Sequence, residues 1–336
     1  MSDLNINNIT DRTGGSGPVI AGVCTVTSTG AFTVPVGPTE MRGGRGRGLI
    51  AGGYNGSAQV NTINYVTIAT TGASVDFGDL SRVRNGTAGS ASATRGLVAG
   101  GDGPTYAKSI DYITISSSGG ANNFGDLSVA RITYASNSNN IISLTYGGYY
   151  SSVNHNAIEY VTIATTGNAN DFGDELYLVR NPNVTGNTTR AVLFGGYDGS
   201  APINKVSYNL YSSRGTSIHF GEMGYSAFGA GGVSNTTRGI FGGGGNPSNV
   251  NNIEYITFET EGNGTDFGDL TVARRMNRGM SNSIRGVFAG GYTPTYLNTM
   301  DYVTIATTAN ATDFGDILAT TGSHACCSDS HGGIGD

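Results

Sequence analysis

One pattern recurs six times along the chain and constrains what the chain can fold into. A glycine pair returns every 47 or 48 residues, and so does a Phe-Gly step followed by an acidic residue. The pairs begin at Gly52, Gly100, Gly147, Gly195, Gly242 and Gly290, and the phenylalanines are Phe77, Phe124, Phe172, Phe220, Phe267 and Phe314. A period of this length is typical of repeat arrays and propellers.

The last copy, RGVFAGGYTPTYLNTMDYVTIATTANATDFGD (residues 285–316), indicates what one unit builds. RGVFA is a short apolar run that ends in Gly-Gly, which predicts a buried strand and a turn. MDYVTI is β-branched and aromatic with neither face cleanly polar, which predicts a strand covered on both sides. DFGD is interpreted as a tight turn with one aromatic side chain in the core. The joint to the next copy has room for one or two more strands.

No segment has a sustained 3.6-residue apolar period, so we expect almost no helix. Six units of three or four covered strands predict an all-β chain folded as a six-bladed β-propeller. The predicted domains are an N-terminal arm, residues 1–40, and the propeller, residues 41–336. A parallel β-helix is the alternative architecture.

Residues 1–40 lie outside the repeat. Residues 19–36 predict a hairpin with strands near 20–27 and 31–34 and a turn at Ser28-Thr29-Gly30. Because an isolated hairpin is marginal in water, it must pack on the propeller or on another chain. It is either a docked extension or, as we favour, an assembly arm that adds strands to a neighbouring subunit.

The run MRGGRGR places three arginines among glycines, which could bind a phosphate or a carboxylate. A solvated joint is the interpretation that we favour, because the last Arg-Gly is the first copy of the repeat's own Arg-Gly. The arginines are Arg42, Arg45 and Arg47.

The tail beyond the sixth copy bears on how a ring would close. Its SDSHGGI aligns with SNSIRGV, which precedes the sixth glycine pair. We therefore expect residues 317–334 to complete the first blade. The residues expected at the closure are Cys326, Cys327, Ser328, Asp329, Ser330 and His331. Residues 33–48 compete for this place, because Thr33-Val34 lies as far before Gly52 as Thr271-Val272 lies before Gly290.

Charge and apolar patterning narrow the range of partners. The net charge is −6 and only two lysines occur, which argues against nucleic acid or an anionic membrane as partner. No apolar run approaches the length of a membrane span, and no signal peptide is visible. The three cysteines, Cys24, Cys326 and Cys327, do not form a disulfide framework, which fits a reducing compartment.

Units such as NTMDYVTIATTANATDFGD and RGVFAGGY, with the lead-in INNITDRTGGSGPVIAGV, resemble kelch-like repeat proteins of marine phages, especially phages of cyanobacteria. The resemblance covers nearly the whole chain, although it lacks Trp and the spaced aromatic signature of kelch proteins proper. It implies a virion structural protein of the tail, fibre, collar or surface decoration, made in the host cytoplasm. It also implies that residues 1–40 contact other virion proteins and that the chain is a homo-oligomer in the particle. It carries over no catalytic residue.

The loops after the glycine pairs are the candidate binding surface. They lie at one end of every blade, vary most among the copies and combine Tyr with Asn or Asp, which suits a host receptor or surface glycan. Ordinary turn chemistry explains the same residues and is the interpretation that we favour. The candidate residues are Tyr54, Asn55, Asp102, Tyr106, Tyr149, Tyr150, Tyr197, Asp198, Asn246 and Tyr292.

We expect no enzyme activity and no cofactor. The carboxylates of the Phe-Gly-acid motif recur once per blade, as structural residues do, and a chain without Trp cannot carry the Trp-ending boxes of sialidase-like propellers. One cluster has metal-like residue types, but vicinal cysteines fit a tetrahedral zinc site poorly and we expect no metal. Its residues are His324, Cys326, Cys327, Asp329 and His331.

The fourth copy departs from the pattern, with VSYNLY at 206–211 and HFGE at 219–222. Its length is kept, so we expect its blade to form. The change marks either a contact surface or sequence drift.

Overall fold

The computed structural model describes residues 46–132 and 135–334 and the backbone of residues 19–20 and 24–25. Six four-stranded antiparallel sheets form a ring, so the protein is an all-β, six-bladed β-propeller. The predicted fold class is confirmed, and the β-helix alternative is wrong. None of the helical structure in the described part of the chain has the length and apolarity needed to cross a bilayer.

The strands fall into a short pair ahead of the ring and the strands of the ring itself. The pair is β1 (Val19–Ile20) and β2 (Cys24–Thr25). The first three blades use β3 (Arg47–Ala51), β4 (Thr62–Thr67), β5 (Val75–Asp79), β6 (Ala88–Ala91), β7 (Arg95–Ala99), β8 (Ser109–Thr114), β9 (Asn122–Asp126), β10 (Ala135–Ser138), β11 (Ile142–Tyr150), β12 (Val153–Thr162) and β13 (Asn170–Asp174).

The second half of the ring repeats this series and ends in a short 3₁₀ turn, Gly332–Ile334. Its strands are β14 (Asn183–Gly186), β15 (Arg190–Phe194), β16 (Lys205–Leu210), β17 (Ile218–Glu222), β18 (Gly231–Ser234), β19 (Arg238–Gly242), β20 (Gly245–Asn246), β21 (Ser248–Asn249), β22 (Asn252–Thr257), β23 (Thr265–Asp269), β24 (Arg278–Ser281), β25 (Arg285–Ala289), β26 (Thr299–Thr304), β27 (Thr312–Asp316) and β28 (Ala325–Ser328).

Each sequence repeat is offset from the blade by one strand. From the axis outward, blade 1 is β28-β3-β4-β5 and blade 2 is β6-β7-β8-β9. The inner strands β28, β6, β10, β14, β18 and β24 contact one another in that cyclic order. A repeat therefore supplies the three outer strands of one blade and the inner strand of the next. The divergent fourth copy keeps its blade, β14-β15-β16-β17, as expected.

The Phe-Gly-acid motif forms the outermost strand of each blade, so the prediction of a tight turn is wrong. In blade 6 this strand is β27, which pairs with β26 through a bulge between Met300 and Asp301. The aromatic side chain is buried as expected, with Phe314 only 2% exposed. An outer strand has one face in solvent, so the acidic residues around Phe314 belong to an edge strand.

The next blade docks on this outer strand through backbone hydrogen bonds. In blade 6 the carbonyl of Phe314 accepts from the N–H of Gly72 at 2.7 Å, and that of Asp316 accepts from Ser74 at 2.9 Å. Gly315 has φ 133°, and a Cβ at this position would lie 2.5 Å from the Gly72 carbonyl oxygen. Glycine recurs in the motif because only it permits this approach. The same bond joins Gly119 to Phe77, Gly167 to Phe124 and Gly215 to Phe172.

The arginine that opens five of the six repeats forms a second contact between blades, and the third repeat has Ile142 at this position. Arg47 lies over the Tyr65 ring at 5.0 Å, and its Nη1 donates to the Ile115 carbonyl of blade 2 at 2.9 Å. Stacking on the ring holds the guanidinium while it bonds to a neighbouring blade. The equivalent pairs are Arg95–Tyr112, Arg190–Tyr208, Arg238–Tyr255 and Arg285–Tyr302. Arg47 is thus a framework residue, in line with the joint interpretation, whereas Arg42 and Arg45 lie outside the described residues.

The C-terminal tail closes the ring. β28 pairs antiparallel with β3, with Cys326 opposite Ile50 and Cys327 opposite Leu49. The Asp329 carboxylate then accepts from the N–H of Gly46 at 2.7 Å and of Arg47 at 3.1 Å. The tail therefore occupies the inner position of blade 1, as its alignment with the joints predicts. The alternative that residues 33–48 fill this position is wrong.

The strand pair ahead of the ring differs from the predicted hairpin. Val19 lies opposite Thr25 and Ile20 opposite Cys24, which leaves residues 21–23 between two strands. The prediction of one continuous strand near residues 20–27 is therefore wrong. Gly22 stands between the strands, and a glycine inside a strand pattern often marks a break. The second predicted strand, residues 31–34, lies outside the described residues.

Buried ion pairs fix three of the joints between blades. Arg274 and Asp301 meet at 2.9 Å, both fully buried. The equivalent pairs are Arg84–Asp111 and Arg131–Glu159. Blade 4 has Val179 and Ser207 in these two positions, so there the arginine and the acid are absent together.

We expect Arg274→Val to lower the free energy of unfolding by about 3–5 kcal/mol, because it leaves the Asp301 carboxylate buried without its partner. The double variant Arg274→Val/Asp301→Ser, which copies blade 4, should recover most of this loss. Urea denaturation of the wild type, both single variants and the double variant measures the coupling. Equal stability of Arg274→Val and the double variant would contradict the assignment.

Ring closure predicts that removing the C-terminal strand lowers the stability of the chain, whereas removing residues 1–40 leaves it unchanged. A chain that stops after Gly322 lacks β28, and we expect its free energy of unfolding to fall by about 5 kcal/mol or more, because buried side chains and strand pairs are lost. A chain that lacks residues 1–40 should keep its melting temperature. Circular dichroism melting compares the two. The same drop in both chains would mean that blade 1 also needs the N-terminal arm.

Candidate functional site

The loops after the glycine pairs and the joints between blades share one end of the ring, which we call the loop face. Each loop connects the second strand of its blade to the third, and each joint enters the inner strand at the same end. The residue after each glycine pair forms a backbone bridge with one joint residue, and in the fifth copy the pair in the equivalent backbone position is Gly243-Gly244. These bridges are Tyr54–Gly322, Asp102–Asn85, Tyr149–Ile132, Tyr197–Arg180, Gly245–Phe228 and Tyr292–Arg275.

Aromatic rings and guanidinium groups follow one another across this face from blade 3 to blade 1. Arg180 lies between the rings of Tyr149, at 5.0 Å, and Tyr197, at 4.8 Å. Arg275 lies between Phe228, at 5.6 Å, and Tyr292, at 5.2 Å. Neighbouring ring contacts connect these two groups and extend the series to blade 1. They are Tyr197–Phe228 at 5.9 Å, Tyr292–Tyr296 at 5.0 Å and Tyr296–Tyr54 at 5.2 Å.

We call this series the aromatic arc and define it by Tyr149, Arg180, Tyr197, Phe228, Arg275, Tyr292, Tyr296 and Tyr54. Four of the predicted candidates, Tyr54, Tyr149, Tyr197 and Tyr292, belong to it. Half of the arc was missed, because three of its residues lie in joints and Tyr296 lies further along its loop. Arg180, Phe228 and Arg275 share one joint position, three residues before the inner strand, and that register is the sequence signal.

Two of the predicted polar side chains hydrogen-bond to the backbone of their own loops. Asn55 Oδ1 accepts from the N–H groups of Ser57 and Ala58, each at 2.9 Å. Asp198 Oδ1 accepts in the same way from Ala201 at 2.8 Å and Ser200 at 2.7 Å, and these bonds lower the pKa of its carboxyl. Both side chains show the turn chemistry that explains Asn and Asp in loops.

Of the remaining candidates, three line one cleft of the loop face and the fourth lies in a small hairpin. Tyr106 and Tyr150 meet edge to face at 5.5 Å, and both line a cleft with Asp102. Asn246 lies in the small hairpin of β20 and β21, opposite Ser248, and belongs to neither the cleft nor the arc.

Two open clefts indent the loop face. The larger, about 450 Å³, lies between the loops of blades 6 and 1 and includes Tyr292 and Tyr296. The smaller, about 390 Å³, lies between the loops of blades 2 and 3 and includes Tyr106 and Tyr150. Both fall in the size range of small-molecule sites.

The axis of the ring, by contrast, is nearly filled. The inner strands surround a cavity of about 50 Å³, which is large enough for a few water molecules but too small for a sugar. Serine hydroxyls bridge neighbouring inner strands there, as when Ser281 donates to the Ser234 carbonyl at 2.7 Å. Near the end opposite the loop face, His331 Nε2 lies 3.0 Å from the Ala91 carbonyl oxygen.

The residues of the metal-like cluster are spread over different surroundings. Cys326 packs with Ile50 and Met280, whereas Cys327 packs with Leu49 and Val98. Consecutive residues of a strand point to opposite faces, which separates the two thiols. Burial raises the pKa of Cys327 to about 12 and lowers that of His324 to about 3. Within the described ranges, no group of three His, Cys, Asp or Glu side chains is arranged to hold an ion.

No protein-family model and no curated protein matches this chain.

One buried carboxylate stands apart from the repeat pattern. Glu175 occupies the position after the Phe-Gly-acid motif and is 4% exposed. Its Oε1 accepts from the Ser207 hydroxyl at 2.5 Å, and burial raises its pKa to about 7. The other five copies have an uncharged apolar side chain here, namely Leu80, Leu127, Met223, Leu270 and Ile317.

The raised pKa of Glu175 predicts that the free energy of unfolding depends on pH. The pKa of Glu175 is about 7 in the folded chain against an ordinary 4.5, so the folded state binds the proton more tightly. Its contribution to stability is therefore present below pH 4.5 and is lost as the pH rises through 7. We expect Glu175→Leu to unfold at higher urea than the wild type, with an advantage about 3 kcal/mol larger at pH 8 than at pH 4.5.

The matched variant Glu175→Gln keeps the size and a hydrogen-bonding side chain without the charge. It should show the same pH-dependent gain as Glu175→Leu, whatever constant offset the packing adds. Stability curves that run parallel to the wild type from pH 4.5 to pH 8 would show that Glu175 keeps an ordinary pKa.

Proposed function

We propose that the chain is a non-enzymatic structural protein of a phage virion that presents a rigid propeller in the tail, fibre, collar or surface decoration. The observation that carries this proposal is the closure of blade 1 by β28. Since the ring needs only its own C-terminal strand, residues 1–40 are left to contact other virion proteins.

The framework supports the same role. Backbone bonds from blade to blade, arginines that bridge blades and buried ion pairs all place polar groups where they stiffen the ring. The likeness of the repeat motifs to kelch-like phage proteins supports placing this ring in a particle. Several copies would form a homo-oligomer there.

A second candidate function is favoured by a specific observation, the aromatic arc. Tyrosine rings on a rigid face, next to Asn, Ser and Thr, suit the binding of a host receptor or surface glycan. A particle protein that carries such a face would serve in host attachment, so the two candidate functions are compatible.

The particle assignment is tested on the phage that encodes this sequence. We expect an antibody raised against the isolated propeller to label purified particles, and mass spectrometry to find the chain in them. Supplied during infection, a chain that lacks residues 1–40 should fold but stay out of the particles. Detection of the intact chain in infected cells but not in purified particles would refute the virion role.

A further inference from the structure

The tripeptide Pro-Thr-Tyr stands at the same repeat position in the second and sixth copies, at 104–106 and 294–296. Each of these segments lines one of the two clefts of the loop face. In both clefts the loop of the next blade forms the opposite side. The two clefts are thus built by equivalent parts of the repeat, two blades apart on the same face.

In the larger cleft, the Tyr296 ring packs against the backbone of Gly322. A Cβ at Gly322 would come within 3.0 Å of the Tyr296 ring. The equivalent joint residues are Asn85, Ile132, Arg180, Phe228 and Arg275, all of which would occupy this space. Gly322 therefore leaves room for Tyr296 between the rings of Tyr54 and Tyr292.

The rest of the larger cleft is polar and uncharged. Ser57, Thr295 and Thr320 supply hydroxyl groups, and Asn55 supplies an amide. Thr320 Oγ1 donates to the Asn55 carbonyl at 3.0 Å and so links blade 1 to the joint that precedes it. No ionisable side chain other than tyrosine lines this cleft among the described residues.

The smaller cleft presents more open aromatic surface. Tyr106 is 37% exposed and Tyr150 is 38% exposed, although large apolar rings are normally covered. Arg82 Nη2 donates to the Thr105 carbonyl at 2.9 Å and holds the loop in place. Asp102 takes the position of Tyr292, so this cleft has a carboxylate that can accept from sugar hydroxyls.

We propose that the two Pro-Thr-Tyr clefts are equivalent binding sites for neutral sugars of host-surface glycans. The proposal rests on the attachment role of the loop face. A sugar ring has an apolar C–H face that packs on tyrosine and hydroxyls that bond to Asn, Ser, Thr and Asp side chains. Acidic sugars are disfavoured by Asp102 and by the net charge of −6.

Two sites on one rigid face would bind a surface that carries many copies of a glycan more tightly than either site binds a free sugar. The gain comes from effective concentration and needs no additional contact. The pair of clefts therefore fits attachment to a dense glycan coat.

The test begins with a glycan array probed with the full chain, followed by calorimetry with the neutral oligosaccharide that binds best. We expect two sugars bound per chain for the wild type, one for Tyr296→Ala or Tyr106→Ala, and none for the double variant. Each single variant should also lose about 100-fold in avidity for a surface coated with that sugar.

Matched variants separate a lost site from a damaged fold. Asn246→Ala removes an exposed side chain of the same face that lies in neither cleft nor the aromatic arc, so it should bind like the wild type. Tyr296→Phe and Tyr106→Phe keep the ring and should retain binding. Thr295→Trp and Thr105→Trp, at exposed positions, fill the clefts without removing any packing and should block them. Melting temperatures show which variants are folded.

The possible failures are distinguishable. Full sugar binding by the folded double variant or by the two Trp variants would overturn the proposal. Labelling of host cells by the wild type without binding to any neutral glycan would also overturn it, while leaving the attachment role intact. If the wild type bound neither host cells nor glycans, the attachment role itself would fail.

Discussion

The ring depends on the docking of each blade onto the outer strand of the blade before it. The carbonyl of the acidic residue in the Phe-Gly-acid motif accepts a hydrogen bond from the next blade in all six copies, and the glycine before it lets the two backbones approach. An outer strand would otherwise present unpaired backbone groups, which invite association with other chains. Because this contact is made six times around the ring, each outer strand has backbone groups that are hydrogen-bonded within the molecule.

The close approach of neighbouring blades limits which positions can vary among the copies. The motif glycine is kept in every copy because a side chain would collide with the next blade, while residues that face a joint are free to change together. Arg274 and Asp301 occupy one joint as a buried ion pair, whereas Val179 and Ser207 occupy another together with Glu175, whose Oε1 accepts from the Ser207 hydroxyl. Burial raises the pKa of Glu175, so this joint holds a carboxyl group that binds a proton readily in place of an ion pair.

Much of the fold could be predicted from the sequence, and the errors have local causes. The period gave the number of blades, and the alignment of the tail gave the closing strand. DFGD was misread because acidic residues beside glycine indicate a turn unless the strand is known to lie at an edge. The first hairpin was predicted wrongly because both strands of the observed pair, Val19–Ile20 and Cys24–Thr25, lie within one apolar stretch of the sequence.

The candidate site could be predicted only in part. The loops were found because they vary, and the structure places them on one face. Arg180 and Arg275 were missed because they approach the loop tyrosines from the joints, where sequence distance gives no indication of contact. The role of Gly322 could not be read at all, since it depends on a ring that comes from another blade.

Closure by the last strand has a consequence for synthesis. On the ribosome, β28 emerges after every other strand of the six blades, including its partner β3. Until then blade 1 has three strands and β3 is an open edge, so the nascent chain can pair with a neighbouring nascent chain. Polysomes that translate this message therefore hold several chains with an open first blade close together until β28 seals each ring.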